Sequence, residues 1–205
     1  MLSVLANHLH PRPMALVLPV ASFDPQDYTR AEPGIHGLVD LVKWEVWMYN
    51  PDGISSVHPL PRNPKDLESS DLFPPSHPLV PHLLSARTAL LDNLSQVSEE
   101  MFETLLSLPE DPSSYLTVAA SEIVPHLRTA TLRNDILPVI CGSAFKHIGT
   151  ELLMNYAGDL LPSPVDVETN ADSLTSANAP LRALAWKVGW DPRKGWMTFV
   201  RVYSG

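Results

Sequence analysis

A short apolar segment that ends in three small residues constrains the fold of this chain most tightly. It reads Pro-Val-Ile-Cys over 138–141 and continues as Gly-Ser-Ala over 142–144. Such a run before a tight turn is typical of a strand buried on both faces. Paired apolar residues then recur every four positions from Leu152 to Leu161, which predicts a helix that ends at Leu-Pro-Ser-Pro over 161–164. Strand, loop and helix together indicate an α/β sheet with the loop outside a strand's carboxyl end, where such sheets hold ligands.

The composition indicates a globular chain that does not grip nucleic acid along its length. Of the 205 residues, 44% are hydrophobic and 18% are charged, with a net charge of −9. A free-standing nucleic-acid binder is normally basic, so the charge disfavours DNA as a partner. The single cysteine, Cys141, excludes an internal disulfide and is interpreted as a small buried hydrophobe.

The sequence shows neither a membrane span nor a targeting peptide. No apolar run approaches the ~18 residues that a spanning helix needs, so we predict no membrane partner. Residues 1–8 lack the basic start of a secretory signal and the Arg-rich, Ser-rich character of an organelle transit peptide.

Hydrophobic spacing predicts the remaining elements. Strands are predicted over 14–20 and within 35–49, and a hairpin is predicted over 181–190 and 196–203. The five tryptophans are predicted to lie on these strands, with alternating burial, and to pack in the sheets. Helices are predicted over 2–10, from residue 80 onward, after an N-cap at Ser98, and over 113–131 with an interruption at Pro125. Residues 50–81 are dense in Pro, Ser, Asp and His and are predicted to be an irregular loop.

Taken alone, the Gly-Ser-Ala loop has two interpretations. Its small residues can let a helix and a strand approach closely, or they can admit a ligand to the backbone. A nucleophile elbow needs Gly-x-Ser-x-Gly, and position 145 is Phe. Eight scattered histidines form no metal-binding motif, so no metal site is predicted.

In chain order, these segments resemble the elongation factor G family of translational GTPases. The resemblance covers nearly the whole chain and is most specific in three places: the segment from Pro138 to Lys146, the Leu-Pro-Ser-Pro helix end, and Thr-Phe-Val-Arg-Val-Tyr-Ser-Gly over 198–205. Residues 50–80 are most similar to the mitochondrial members, with a ribosome-recycling member ahead of a translocating one. The resemblance therefore implies a mitochondrial location, with a cytoplasmic one as the alternative.

The resemblance implies a protein that binds GTP and Mg²⁺ and acts on the ribosome, with ribosomal RNA and stalk proteins as partners. By similarity, residues 143–146 are the loop that reads guanine. The Ala144 N–H would donate to guanine O6, Ser143 would hold the loop, and Phe145 or Lys146 would flank the base.

The chain departs from the family pattern at the phosphate-handling motifs. It has no Gly-x-x-x-x-Gly-Lys-Ser/Thr loop, no Asp-x-x-Gly segment with its water-positioning histidine and no Asn-Lys-x-Asp motif. Asn-Pro-Lys-Asp over 63–66 has the wrong order. We therefore expect a partial chain that binds nucleotide poorly and is inactive in GTP hydrolysis by itself. The alternative is a non-enzymatic protein-interaction module.

The resemblance implies an α/β fold class in five parts. It comprises the C-terminal part of a P-loop GTPase domain with an inserted α+β subdomain, followed by the first hairpin of an all-β barrel. The expected boundaries are a GTPase-domain tail over 1–36, the inserted subdomain over 37–135, the end of the GTPase domain over 136–164, a linker over 165–179 and the barrel hairpin over 180–205.

Overall fold

The apolar run over 14–20 contributes strands to two different sheets. The computed structural model describes residues 2–21, 34–50, 55–74, 76–163, 166 and 180–204, and separates into the units Met1–Leu161 and Pro162–Gly205. The single strand predicted over 14–20 is two strands, β1 (Pro13–Ala15) and β2 (Val17–Ala21). The intervening Leu16 donates its N–H to the Val139 carbonyl and accepts from the Leu41 N–H, both at 2.9 Å. Leu16 therefore joins both sheets through its own backbone.

The first unit contains a two-stranded parallel sheet and a four-stranded antiparallel sheet. In the parallel sheet, β1 pairs with β6 (Leu137–Val139). The antiparallel sheet has the order β2-β3-β4-β5. Its other strands are β3 (Ile35–Asp40), β4 (Glu45–Tyr49) and β5 (Ser55–Pro59). The mixed α/β class predicted from the sequence is confirmed.

The prediction of an irregular loop over 50–81 is wrong. This region contains β5 and helix α2 (Pro64–Glu68), and Leu60 and Phe73 enter the core. The Asn63 side chain caps α2 by accepting from the Lys65 N–H at 3.2 Å. Asn before Pro is a helix-start signal, and the prolines here punctuate short elements.

Helices cover the central part of the chain. The Ser98 N-cap is confirmed, since its Oγ accepts from the Met101 N–H at 3.3 Å. Pro125 does not interrupt its helix, because Ile123 and Leu127 on both sides of it are buried and hold the turn in place. The helices are α1 (Leu2–His8), α3 (Val80–Ser95), α4 (Glu99–Leu106), α5 (Ala120–Leu132) and α6 (Thr150–Leu160), with a 3-10 helix at Pro112–Leu116.

The second unit contains the predicted hairpin, which is confirmed. Strands β7 (Arg182–Asp191) and β8 (Gly195–Ser204) pair in antiparallel register. The Asp191 carboxylate accepts from the Arg193 and Lys194 N–H groups, both at 2.8 Å, and thereby fixes the turn. The predicted alternating burial of tryptophans is wrong for this hairpin, because Trp186, Trp190 and Trp196 are all exposed. The linker predicted over 165–179 lies outside the described residues, apart from Asp166.

The two tryptophans of the first unit lie in and directly before strand β4. Trp47 is buried in β4, whereas Trp44 lies in the β3–β4 turn, not on a strand, and its indole N–H donates to the Pro61 carbonyl at 3.0 Å. No helix in the described ranges is long and apolar enough to cross a membrane.

Candidate functional site

The loop that follows β6 is closed by a pair of backbone hydrogen bonds. The Ser143 N–H donates to the Ile148 carbonyl and the Ile148 N–H donates to the Ser143 carbonyl, each at 3.0 Å. The four residues between them form the tip, and His147 there adopts a left-handed φ of 55°. A closed loop of this kind presents its tip as one unit at the carboxyl end of β6.

Two glycines are required by the close approach of the backbone. A Cβ at Gly142 would lie 2.6 Å from the Ile148 carbonyl oxygen, inside van der Waals contact. Gly149 has a φ of 80°, and a Cβ there would lie 2.8 Å from Leu38 Cδ1. Both ends of the loop therefore exclude side chains, for steric reasons at Gly142 and also for conformational reasons at Gly149.

The loop borders an open cleft with a volume of about 420 Å³. Ser143 is buried at its wall, whereas Phe145 at the tip is 93% exposed. In the described part of the chain, the Ala144 N–H donates to no protein acceptor. The cleft is lined by Ile140, Cys141, Gly142, Ser143, Ala144, His147, Ile148, Gly149, Thr150 and Leu153.

Cys141 at the base of the cleft is not a nucleophile. Its Sγ donates to the Val17 carbonyl at 3.5 Å, and burial raises the pKa of the thiol to about 11. At neutral pH it is therefore protonated, and it packs half-buried against the core where the sequence predicts a buried residue.

A buried polar cluster holds helix α6 against the antiparallel sheet. The Tyr156 hydroxyl donates to Asp40 Oδ1 at 2.7 Å, and the same oxygen accepts from the Val42 and Lys43 N–H groups at 2.8 and 2.9 Å. Asp40 Oδ2 is buried without a partner in the described structure. Burial raises the pKa of Asp40, and burial together with the Asp40 charge raises the pKa of Tyr156.

The comparison with curated proteins finds a relative of known kind. No family model matches the chain. Ribosome-releasing factor 2, mitochondrial, of Yarrowia lipolytica is 36% identical over 141 residues, which cover 58% of this chain and 17% of that protein. The chain resembles a ribosome-releasing factor. The resemblance to the elongation factor G family that the sequence predicts is thereby confirmed.

A solved structure supports the fold independently. A protein of Thermus thermophilus superposes on 100% of this chain with a TM-score of 0.59 and 20% sequence identity. At that identity the likeness shows the fold alone. The chain corresponds to 25% of the Thermus protein and, in the alignment above, to 17% of the ribosome-releasing factor.

The structure brings the four predicted site residues, Ser143 to Lys146, into one loop. It adds two hydrogen bonds that the sequence did not predict. One runs from the Gly149 N–H to the Tyr49 hydroxyl, and the other runs from the Tyr156 hydroxyl of α6 to Asp40. In the ranges that the structure describes, no group of three His, Cys, Asp or Glu side chains could hold a metal ion.

Asp40→Asn is expected to remove a pH dependence of stability that opposes the usual one for a carboxylate. Because burial holds the folded-state pKa of Asp40 above 3.8, the folded protein binds more protons than the unfolded chain between the two pKa values. The free energy of unfolding of the wild type should therefore fall, relative to Asp40→Asn, as pH rises from about 4 through the folded pKa. Urea denaturation of both proteins at several pH values measures this difference.

Asp111→Asn is the matched control with the opposite sign. Asp111 is exposed, and hydrogen bonds from the Ser113 hydroxyl and N–H lower its pKa. Stability that Asp111 contributes is present above the unfolded pKa and is lost as pH falls through the folded one. Equal slopes for the two variants would contradict the assigned direction for Asp40.

Proposed function

We propose that this chain carries the guanine-reading loop of a GTP-binding translation factor that acts on the ribosome. The observation that carries the proposal is the Ala144 N–H, which has no protein acceptor in the described ranges and belongs to a residue that lines an open cleft, in a chain similar to a ribosome-releasing factor. Guanine O6 accepts such a hydrogen bond, whereas the amino group at the same place in adenine does not.

The other loop residues have distinct tasks in this proposal. Ser143 holds the loop closed through its bonds to Ile148. Phe145 is exposed at the tip and can cover a face of the base, and Lys146 lies beside it. The small residues at 142–144 in the cleft lining let the ring come against the Ala144 amide.

Phosphate and Mg²⁺ binding are assigned to no residue of this chain. GTP hydrolysis depends on backbone and Lys contacts to the phosphates and on a held Mg²⁺, and the sequence contains none of the motifs that supply them. We propose that the chain alone binds the base weakly and does not hydrolyse GTP. We also propose ribosomal RNA and stalk proteins as partners and a mitochondrial location; the similarity to the mitochondrial ribosome-releasing factor supports the ribosome and the location.

The domain arrangement is part of the same proposal. Residues 1–36 and 136–164 are the tail and the end of a GTPase domain, residues 37–135 are its inserted subdomain, and the hairpin over 180–205 begins a β-barrel. The superposition on the Thermus protein supports this arrangement because it extends over the whole chain.

The test is a titration of the isotope-labelled chain with guanosine, inosine and adenosine monophosphates. Because the loop reads O6, guanine and hypoxanthine nucleotides should shift the Ala144 amide resonance alike. The adenine nucleotide should bind at least about fivefold more weakly, since an unpaired buried donor costs ~1–3 kcal/mol. Phe145→Ala should weaken all three nucleotides, because it removes ring contact but no base-specific atom.

An equal response to the three nucleotides would contradict base reading at Ala144. In that case the second candidate, a non-enzymatic protein-interaction module, is favoured by exposed apolar side chains on α4. Phe102 and Leu106 are one turn apart on this helix and exposed, next to the acidic Glu99 and Glu103. A micromolar affinity for GTP with preference over ATP would contradict the proposal that the phosphate contacts are missing.

A further inference from the structure

Tyr49 connects the antiparallel sheet to the end of the candidate base-reading loop. The Gly149 N–H donates to the Tyr49 hydroxyl with an N···O distance of 3.0 Å. Tyr49 is the last residue of β4 and packs against the hydrophobic core. Burial raises the pKa of this hydroxyl, so the acceptor is the neutral phenol at neutral pH.

Gly149 is the residue at which the loop turns into helix α6. Its left-handed φ of 80° sets the direction of the chain, and its carbonyl accepts from the Leu153 N–H at 2.9 Å in the first turn of α6. The N–H group is therefore tied to β4 and the carbonyl to α6. A side chain at this position would collide with Leu38 of β3, so the sheet contacts Gly149 closely.

The bond from Tyr49 acts one residue away from the pair that closes the loop. Ile148, which exchanges both hydrogen bonds with Ser143, directly precedes Gly149. A displacement of Gly149 must therefore move Ile148, and through it the strand-like bridge that presents the Ala144 N–H. Tyr49 does not line the cleft, so its effect on a bound base is indirect.

We propose that the Tyr49 hydroxyl is a positioning group for the loop over 142–149, and that guanine affinity therefore depends on a residue of the antiparallel sheet. The guanine part of this inference rests on the proposed function above. The positioning part concerns the chain without nucleotide and can be judged separately.

The first experiment compares Tyr49→Phe with Tyr115→Phe in the absence of nucleotide. Both variants remove one tyrosine hydroxyl and one hydrogen bond, since the Tyr115 hydroxyl donates to Asp92 at 3.0 Å on the exposed side of the helices. Amide hydrogen exchange at Ser143, Ile148 and Gly149 should become about five- to tenfold faster in Tyr49→Phe, the size that a single lost hydrogen bond produces. Tyr115→Phe should leave these three amides at the wild-type rate.

The second experiment titrates the same proteins with guanosine and adenosine monophosphates. Tyr49→Phe should weaken the guanosine response about three- to tenfold and leave the adenosine response unchanged, whereas Tyr115→Phe should change neither. A purely structural role would accelerate exchange throughout the first unit and would not alter the ratio between the two nucleotides.

Each outcome tests one part of the inference. Unchanged exchange at the three loop amides in Tyr49→Phe, or equal acceleration at all amides of the first unit, overturns the positioning role. A wild-type chain that does not prefer guanosine overturns the proposed function and the guanine part of the inference. The exchange rates then still decide whether Tyr49 positions the loop.

Discussion

Arg87→Met is expected to lower the free energy of unfolding by about 3–5 kcal/mol, because several buried carbonyls lose their donor at ~1–3 kcal/mol each. Arg87 is 1% exposed; its two terminal nitrogens donate to three main-chain carbonyls, and its Nε donates to a fourth, that of Tyr115, at 3.5 Å. Two of the three, Leu41 and Val42, belong to the β3–β4 turn, and the third, Val118, lies two residues before the start of α5. One side chain therefore holds the turn of the sheet to the helical layer.

Methionine fills much of the same volume but donates no hydrogen bond. The three carbonyls would remain buried without this donor, and each such group costs ~1–3 kcal/mol. Burial lowers the pKa of Arg87 to about 10, so the group remains a charged donor at neutral pH. The loss in Arg87→Met is therefore one of hydrogen bonds, with little change of packing.

Chemical denaturation with linear extrapolation measures the change. Arg128→Met is the comparison variant at a half-buried site, where Arg128 donates to the Asp159 carbonyl of α6 at 2.7 Å. It should cost about 1 kcal/mol. If Arg87→Met fails to fold, Arg87→Lys retains the charge with fewer donors and should still be less stable than Arg128→Met. Stability of Arg87→Met within about 1 kcal/mol of Arg128→Met, the size of one hydrogen bond, would contradict the assigned role.

The position of Arg87 could have been found in the sequence, although its partners could not. Leu83, Leu90 and Leu94 define the buried stripe of α3, and Arg87 lies four residues after Leu83 on that same stripe. A charged residue on an apolar stripe indicates a buried donor. Its acceptors lie 28 to 46 residues away, in the β3–β4 turn and in or just after the 3-10 helix, and no local periodicity specifies these contacts.

The sheets were predictable only where their signals were local. The continuous apolar run over 14–20 correctly indicates buried β-structure, but the switch at Leu16 depends on partners more than 20 and more than 120 residues away. Strand β5 escaped because an edge strand with exposed side chains shows no apolar alternation. Long-range pairing therefore limited the prediction of the fold.

In the candidate site, too, the local pattern could be predicted from the sequence and the long-range contacts could not. Residues 143–146 could be singled out because small residues between a strand and a helix form a local pattern. The hydrogen bond between Tyr49 and Gly149 could not be predicted, because 100 residues separate the hydroxyl from the Gly149 N–H. Asp40 is an acidic residue at a strand end, and only the packing of α6 shows that Tyr156 reaches it.

Gly142→Ala is expected to open the loop and to lower the free energy of unfolding by about 2–3 kcal/mol, within the range for a group forced into a packed site. The added Cβ would lie 2.6 Å from the Ile148 carbonyl oxygen, which is the acceptor of the Ser143 N–H. Because the obstructing atom belongs to the backbone, relief requires a shift of the chain that separates Ser143 from Ile148. The Ala144 amide should then lose at least about tenfold in its response to guanosine monophosphate, corresponding to ~1.4 kcal/mol.

Gly158→Ala supplies the control with the opposite expected sign. Gly158 lies inside α6, and a Cβ there would meet nothing within 4 Å. Alanine at a helix interior should stabilise the protein by about 0.5–1 kcal/mol relative to glycine and should leave the loop amides unchanged. Denaturation midpoints and amide exchange at Ser143 and Ile148 distinguish the two variants. Wild-type stability and full protection of these amides in Gly142→Ala would contradict the close approach that defines the candidate site.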